Sequence, residues 1–376
     1  MNSPNHSSPE ILVAGASIAG LTAAYWLTEA GYRVTVVELA AAPRLGGAAV
    51  NLHGEALTWA GRMGLLEVLQ AHRLQVERWD FKNADDATVG TMLLQGDGAA
   101  PAEDDLEVER GRLVSLLVEA VQTKVEWLFN DRITALNETA EAVQVTFATS
   151  PPRAFALVIG ADGLHSGVRQ LWFGPAGDYV QFLHYYFSLT TVNCLLVPVN
   201  TTQLYNVPNK LVMLNAYQDK TDIAFSFFAE HELAYDYRDA GQQRQLLAEQ
   251  FAGQGWRTDN LLAEVQQADI SYFDKLSQVR MPTWTRGRVA LVGDAAYCAS
   301  PAAGMGASLA LLGASTLVAA LVSHGGDFNA AFAAYQQQLR PFIEEVQATA
   351  LATLHEYLVP STAEAIQARN EQGVPL

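Results

Sequence analysis

The sequence predicts an α/β fold (α+β overall): a three-layer domain built on βαβ units, interrupted by a β-sheet insertion and closed by C-terminal helices. Three observations carry this. A glycine-marked strand–turn–helix–strand pattern opens the chain. Residues 172–280 are instead rich in aromatic and β-branched strand segments, and α/β character returns from residue 288. With 376 residues, half of them hydrophobic, the chain has room for two domains or one large domain with an inserted part.

EILVAG (10–15) reads as a buried strand, IAGLTAAYWLTEAG (18–31) as a helix ending at Gly31, and RVTVVE (33–38) as a second buried strand. Together they form one βαβ unit. Its turn, GASIAG, keeps Gly15 for the tight bend and Gly20 for close helix–strand packing, but has Ser17 at the middle glycine position. Serine is small enough to let a pyrophosphate approach, with strain. The helix start at Ile18, Ala19 and Gly20 offers N–H groups to phosphates. Glu38 ends the second strand, where an acid can accept hydrogen bonds from ribose hydroxyls. The plainer reading is a βαβ unit with an exposed terminal acid.

RGRLVSLLVEAV (110–121) reads as a helix, and VEWLFN (125–130) and AVQVTFA (142–148) as strands. In ALVIGADGLHSGVR (156–169) a buried strand runs into Asp162-Gly163 and a turn with Ser166 and Arg169. KLVMLNAY (210–217) and DIAFSFFA (222–229) are strands, followed by a polar helix at 242–251. In GRVALVGDAAYCASPAAGMGASLAL (287–311) a strand ends in Gly293-Asp294. A loop with Pro301 follows, and Gly304-Met305-Gly306 opens a long apolar helix. That helix, residues 306–322, is short and rich in small residues, so it reads as buried rather than membrane-spanning. Two helices finish the chain after Gly326. In residues 341–358, Phe342, Val346, Ala350 and Leu354 stand at helical spacing, a stripe expected to bury itself. It serves either as plain packing or, with Tyr357, as a brace closing a substrate entrance.

The net charge of −17 argues against nucleic acid and anionic membranes as partners. The two cysteines, Cys194 and Cys298, are far apart, so no zinc spacing or disulfide framework is expected; this fits the cytoplasm. The first ten residues lack the regions of a signal peptide and read as a loose tail.

The order of motifs, glycine turn, Asp162-Gly163, then Gly293-Asp294, resembles the class A flavin-dependent aromatic hydroxylases of the p-hydroxybenzoate hydroxylase class. Within that class, residues 284–306, NKLVMLN (209–215), GWRTDNLL (255–262) and the C-terminal helices are similar to tetracycline-inactivating flavin monooxygenases. The resemblance implies an FAD/NAD(P)-binding Rossmann-like domain at residues 1–72, 98–171 and 281–324. The β-sheet substrate-binding domain would take 73–97 and 172–280, and the helical segment 325–376. It further implies FAD as cofactor, NADPH or NADH as co-substrate, and O2. The reaction would be hydroxylation of an aromatic or polyketide-like small molecule, a tetracycline among the candidates, through a flavin C4a-hydroperoxide. A monomer or homodimer would suffice.

By the same resemblance, the turn Gly15–Gly20 and Glu38 hold the ADP half of FAD, and Arg44 lies near adenosine and pyrophosphate. Arg110 contacts the FAD. Asp162 and Gly163 serve both FAD and the nicotinamide cofactor. Asp294 holds the ribityl and phosphate region, while Pro301, Gly304, Met305 and Gly306 border the flavin ring. The chain departs from the pattern at Ser17, at Met305, where the tetracycline-inactivating group often has glutamine, and at Ala302 and Ala303. Two other readings stay open: an NAD(P)H oxidase-like flavoprotein without oxygen transfer, and a flavoprotein that sequesters a ligand. Intact Asp-Gly and Gly-Asp motifs argue against the last.

No side chain stands out as acid or base, since the flavin carries the chemistry. His53 faces either the flavin or substrate, or else reads as a solvent-side or hydrogen-bonded histidine. Cys298 reads as a small buried residue rather than a nucleophile. Tyr185, Tyr186, Phe187, Phe225 and Phe227 can line an aromatic cavity, although strand alternation turns about half of them elsewhere. Arg169 and Arg286 read either as attractors of nicotinamide phosphates or as ordinary surface charges.

Overall fold

The computed structural model describes residues 8–94, 105–236 and 238–373. The N-terminal tail and the expected boundary near residue 97 lie, wholly or in large part, outside them.

One sheet has six strands in the order Thr285–Arg286, Val289–Leu291, Leu157–Gly160, Glu10–Ala14, Arg33–Glu38, Glu126–Phe129. All neighbours are parallel except the edge pair Thr285–Arg286 with Val289–Leu291. A parallel sheet covered on both faces needs strands that are apolar on both sides. Ile11, Leu12, Val13, Val34, Val36 and Val37 meet that demand, each at most 4% exposed. Helices Ile18–Glu29, Arg110–Val121 and Gly306–Ser323 pack together on one face. A three-stranded antiparallel sheet, Ile133–Glu138, Val143–Phe147 and Arg153–Phe155, contributes Val143, Val145 and Phe155 to the same core. Among the described residues, Gly306–Ser323 is long and apolar enough to cross a membrane, but 78% of it is buried inside the protein, as a core helix is.

The second large sheet has seven strands: Ile270–Val279, Val180–Val192, Lys220–Phe228, Lys210–Tyr217, Thr201–Val207, Arg78–Lys82, Thr88–Leu93. It is antiparallel apart from the pairing of Thr201–Val207 with Arg78–Lys82. Alternation divides its side chains between two layers. Tyr186, Phe225 and Phe227 pack under helices Ala240–Phe251 and Thr258–Gln267, against Leu247, Phe251, Leu261 and Val265. Tyr185, Leu211 and Leu276 face the other way, against Ala302 and Leu354, with Phe187 partly buried beside them.

Helix Phe328–Ala352 contains Pro341 and continues into a π-helical segment, Thr353–Leu358; Ala363–Gln372 follows. The expected stripe fails at its first member, Phe342. Val346, Ala350 and Leu354 are buried, but Phe342 is 38% exposed. At 3.6 residues per turn a strict four-residue series drifts around the helix by about 40° per step. The buried face instead mixes steps of three and four, through Leu339, Ile343, Val346, Ala350 and Leu354.

Candidate active site

The three sequence motifs meet on one rim, at the carboxyl ends of the central parallel strands. Gly15 has φ +105°, and a Cβ there would lie 2.5 Å from Ala161 O in the second motif. A Cβ on Gly20 would lie 1.9 Å from Gly15 O, so this turn excludes any side chain at that position. Gly293, with φ +61°, comes so near Ala19 that its Cβ would be 3.0 Å from the alanine methyl. The first turn therefore touches both of the others.

Ser17 caps helix Ile18–Glu29 without a side-chain capping bond, and its carbonyl accepts from Leu21 N at 2.8 Å. The N–H groups of Ile18, Ala19 and Gly20 precede the first intrahelical bond and have no partner within the helix. The Ser17 hydroxyl instead accepts from Arg110 Nη2 at 2.8 Å. Arg110 Nη1 donates to Arg44 O at 3.0 Å and to Gly46 O at 2.7 Å. Ser17 thus gives the guanidinium an anchor that glycine cannot provide. Burial, then the positive charge of Arg44, lowers the Arg110 pKa, while Asp294 works against them. The Arg44 side chain itself is exposed.

Glu38 accepts from Ala16 N at 2.8 Å and from Ala40 N at 2.9 Å, so each carboxylate oxygen braces a backbone turn and retains further acceptor capacity. The Asp162 carboxylate turns inward, accepting from Ser166 Oγ at 2.5 Å and Val168 N at 3.0 Å. Burial raises its pKa and those hydrogen bonds hold it back in part. Gly163 follows with φ +81° and open space around it.

Asp294 begins a short helix, Asp294–Tyr297, just after Gly293. Asp294 is exposed to solvent, with protein close around its carboxylate. Desolvation by that surrounding protein pushes its pKa up, and the Cys298 thiol and Arg110 offset this only in part. Pro301–Ala303 forms a 3-10 turn after Ser300, followed by Gly304 at φ +65° and Met305 capping helix Gly306–Ser323. Pro301, Gly304 and Gly306 are exposed along this turn.

The remaining candidates separate. Neither reading of Arg169 holds. It is 0% exposed and donates to Ala295 O at 2.9 Å and Leu164 O at 2.5 Å, tying the second motif to the third. No nicotinamide phosphate can reach it. Arg286 is exposed and stacks on Trp172 and Phe173, 5.1 and 5.5 Å from their ring centroids. His53 Nδ1 lies 3.3 Å from Asp105 Oδ1 and its backbone N–H donates to Ser308 Oγ. Cys298 is buried, and burial together with nearby Asp294 pushes its thiol pKa well up, which suits packing. Tyr272 escaped the sequence reading. It shares a sheet face with Phe187, ring centroids 6.1 Å apart, and lies close enough to Asp274 and Asp294 to feel their charge. Only the pairing of two distant strands reveals it.

A helix start with free donors, a turn smoothed by glycines, a guanidinium anchored on that turn and an accessible carboxylate suit a diphosphate flanked by hydroxylated chains. These residues fit FAD.

Comparison with known proteins agrees. The family described as "FAD binding domain" matches residues 9–350. An uncharacterized protein of Mycobacterium tuberculosis (strain ATCC 25618 / H37Rv) is 40% identical over 343 residues, covering 90% of this chain and 91% of its own. A flavin-dependent monooxygenase of Legionella longbeachae serogroup 1 (strain NSW150) is 34% identical over 356 residues, 93% of this chain and 90% of its own. Among solved structures, the tetracycline destructase Tet(55) superposes with a TM-score of 0.85 at 33% identity, covering 97% of this chain and 94% of its own.

Proposed function

The chain belongs to the FAD binding domain family and is an FAD-dependent monooxygenase, and from that premise we propose that it uses NADPH or NADH and O2 to hydroxylate an aromatic or polyketide-like small molecule. A tetracycline is the first candidate, since Tet(55), a tetracycline destructase, resembles the chain over nearly its whole length. Bound FAD supplies the redox chemistry: two electrons from the nicotinamide reduce O2, one oxygen atom enters the substrate and the other leaves as water.

The observation that carries this reading is the meeting of three motif turns on one rim, with Arg110 tied to Ser17. In this proposal the N–H groups of Ile18, Ala19 and Gly20 receive the diphosphate, with Arg110 and Arg44 supplying positive charge. Glu38 accepts from the ribose, and Asp294 from the hydroxylated chain that leads to the ring. Asp162 and Gly163 shape the middle of the cleft, where the nicotinamide cofactor would also approach. Pro301, Gly304, Met305 and Gly306 border the ring. The sheet face bearing Tyr185, Phe187, Leu211 and Leu276 covers the substrate and keeps water away from it. The domain division set out from the sequence belongs to the same proposal. Every residue named comes from one chain, so a monomer or a homodimer serves equally.

The test is NADPH oxidation by the yellow holoenzyme, with and without tetracyclines and other aromatic compounds, with peroxide and product masses followed together. Stimulated oxidation with a product heavier by one oxygen supports the reading. Peroxide equal to NADPH consumed with every compound, and no new mass, overturns it in favour of an oxidase.

A further inference from the structure

Gln347, on helix Phe328–Ala352, is 2% exposed. Its Nε2 donates to Val279 O at 2.8 Å and Cys298 O at 3.1 Å, with Tyr297 O at 3.4 Å. Gln278, on strand Ile270–Val279, is 0% exposed. Its Nε2 donates to Gln347 O at 2.7 Å and Ala299 O at 3.2 Å, while its Oε1 accepts from Arg280 Nε and Nη2. Two neutral carboxamides thus collect the carbonyls of three consecutive residues, Tyr297, Cys298 and Ala299. They do so where the edge of the antiparallel sheet, the C-terminal helix and the loop from Asp294 to Pro301 converge.

That loop needs holding. Ser300 sits at φ +82°, a left-handed conformation costly for a residue with a β-carbon, and such strain persists only where its surroundings over-determine it. Ser300 Oγ accepts from Ala302 N at 3.3 Å, carrying the constraint into the following turn. Buried carbonyls also require donors. A carboxamide supplies them without placing a charge next to buried Cys298 and nearby Asp294.

We infer that Gln347, together with Gln278, is the positioning residue of the Pro301–Gly306 turn. The pair sets where that turn stands against the flavin, and through it how tightly and in what surroundings the flavin is held. The inference rests on the proposed placement of this turn beside the ring. It is distinct from helix packing in general, because the same helix offers a control. Gln336 accepts from Trp284 N at 2.8 Å and Thr283 Oγ1 at 2.9 Å and donates to Thr285 Oγ1 at 3.0 Å, and none of these bonds goes to residues 297–306.

The experiment compares Gln347→Leu, Gln336→Leu and Gly304→Ala holoenzymes. Three quantities are read: melting temperature at saturating FAD, the FAD dissociation constant from fluorescence recovered on dilution, and the absorption bands of the bound flavin. Both glutamine variants should melt lower. Gln347→Leu should also weaken FAD by about tenfold and shift the bands, with Gln336→Leu staying within about twofold of wild type. If Gln347→Leu matches Gln336→Leu in both flavin readouts while Gly304→Ala weakens FAD, Gln347 only packs the helix and the inference is overturned. If Gly304→Ala also leaves FAD unchanged, the turn does not border the flavin, and the placement and the inference fall together. Should Gln347→Leu fail to fold, Gln278→Leu, which spares the Gln347 donors, is read by the same criteria.

Discussion

At the rim of the six-stranded parallel sheet, the groups offered to a ligand are largely backbone: N–H groups at a helix start, reached over glycines that leave no side chain in the way. The seven-stranded antiparallel sheet instead presents side chains, sorted by alternation into one face under two helices and one face toward the rim. The first arrangement tolerates almost no change at Gly15 and Gly20, whose added Cβ would meet backbone oxygens. The second tolerates change according to which face a residue occupies, so neighbours such as Tyr185 and Tyr186 have different fates.

The largest expected effect is at Gly20. Gly20→Ala drives a methyl into Gly15 O, and backbone conflict of this kind belongs with mutations costing more than about 4 kcal/mol. The variant should lose FAD and melt far below wild type. Gly31 has φ +83° and open space around it, so Gly31→Ala should cost only about 1 kcal/mol. Equal melting temperatures for the two would break the claim that close approach, rather than backbone freedom, dictates the rim.

A paired test on the antiparallel sheet sharpens the contrast. Phe225 is 0% exposed beneath helix Ala240–Phe251, so Phe225→Ala should cost about 3–5 kcal/mol while the residual folded enzyme couples normally. Phe187, half-buried on the opposite face, should cost much less stability as alanine but release more peroxide per NADPH. Unchanged coupling in Phe187→Ala would mean that this face does not shield the substrate.

Asp294→Asn separates binding from stability. Loss of a charge-assisted hydrogen bond should weaken FAD by about 1.5–3 kcal/mol, read as a higher dissociation constant. Because burial raises the Asp294 pKa in the flavin-free protein, its ionisation disfavours that form as pH rises through the raised value. Asn removes this burden, so the flavin-free variant should melt slightly above wild type in alkaline buffer. Full yellow occupancy after purification would remove Asp294 from the cofactor site.

The smallest effect is expected at the seam between the two regions. Glu107, beside Asp105 and Asp222, has its pKa pushed up from 4.5 to about 7, first by burial and then by those carboxylates. Stability from this group is therefore present at low pH and lost as pH rises through about 7. Full burial would make the loss ~3 kcal/mol, and the group's partial solvent contact reduces it. Glu107→Gln should raise the melting temperature by a few degrees near about pH 8.5, with the difference closing toward about pH 4.5. A pH-independent difference would exclude Glu107 titration as its cause.

The elements of the parallel sheet were legible because buried apolar strands, glycines and strand-end acids are local signals. The stripe at Phe342 misled because an exact four-residue series looks like a helix face but spirals away from it, leaving Ile343 to take the buried place. Arg169 was illegible for the opposite reason. An arginine reads as surface charge until a fold supplies two carbonyls, one from a segment more than a hundred residues away, to satisfy it out of water.

The sequence by itself determined where the chain turns over glycine, which strands are buried on both sides, and hence that a dinucleotide-type rim exists. These follow from steric limits and hydrophobic periodicity within a few residues. Only the tertiary structure decided what occupies Ser17 Oγ, since Arg110 lies 93 positions along the chain. It also decided which face of the antiparallel sheet looks toward the rim, and which glutamines hold the loop before Pro301. Those outcomes depend on hydrogen bonds and contacts between segments remote in sequence, and no local pattern specifies which remote carbonyl or guanidinium will arrive.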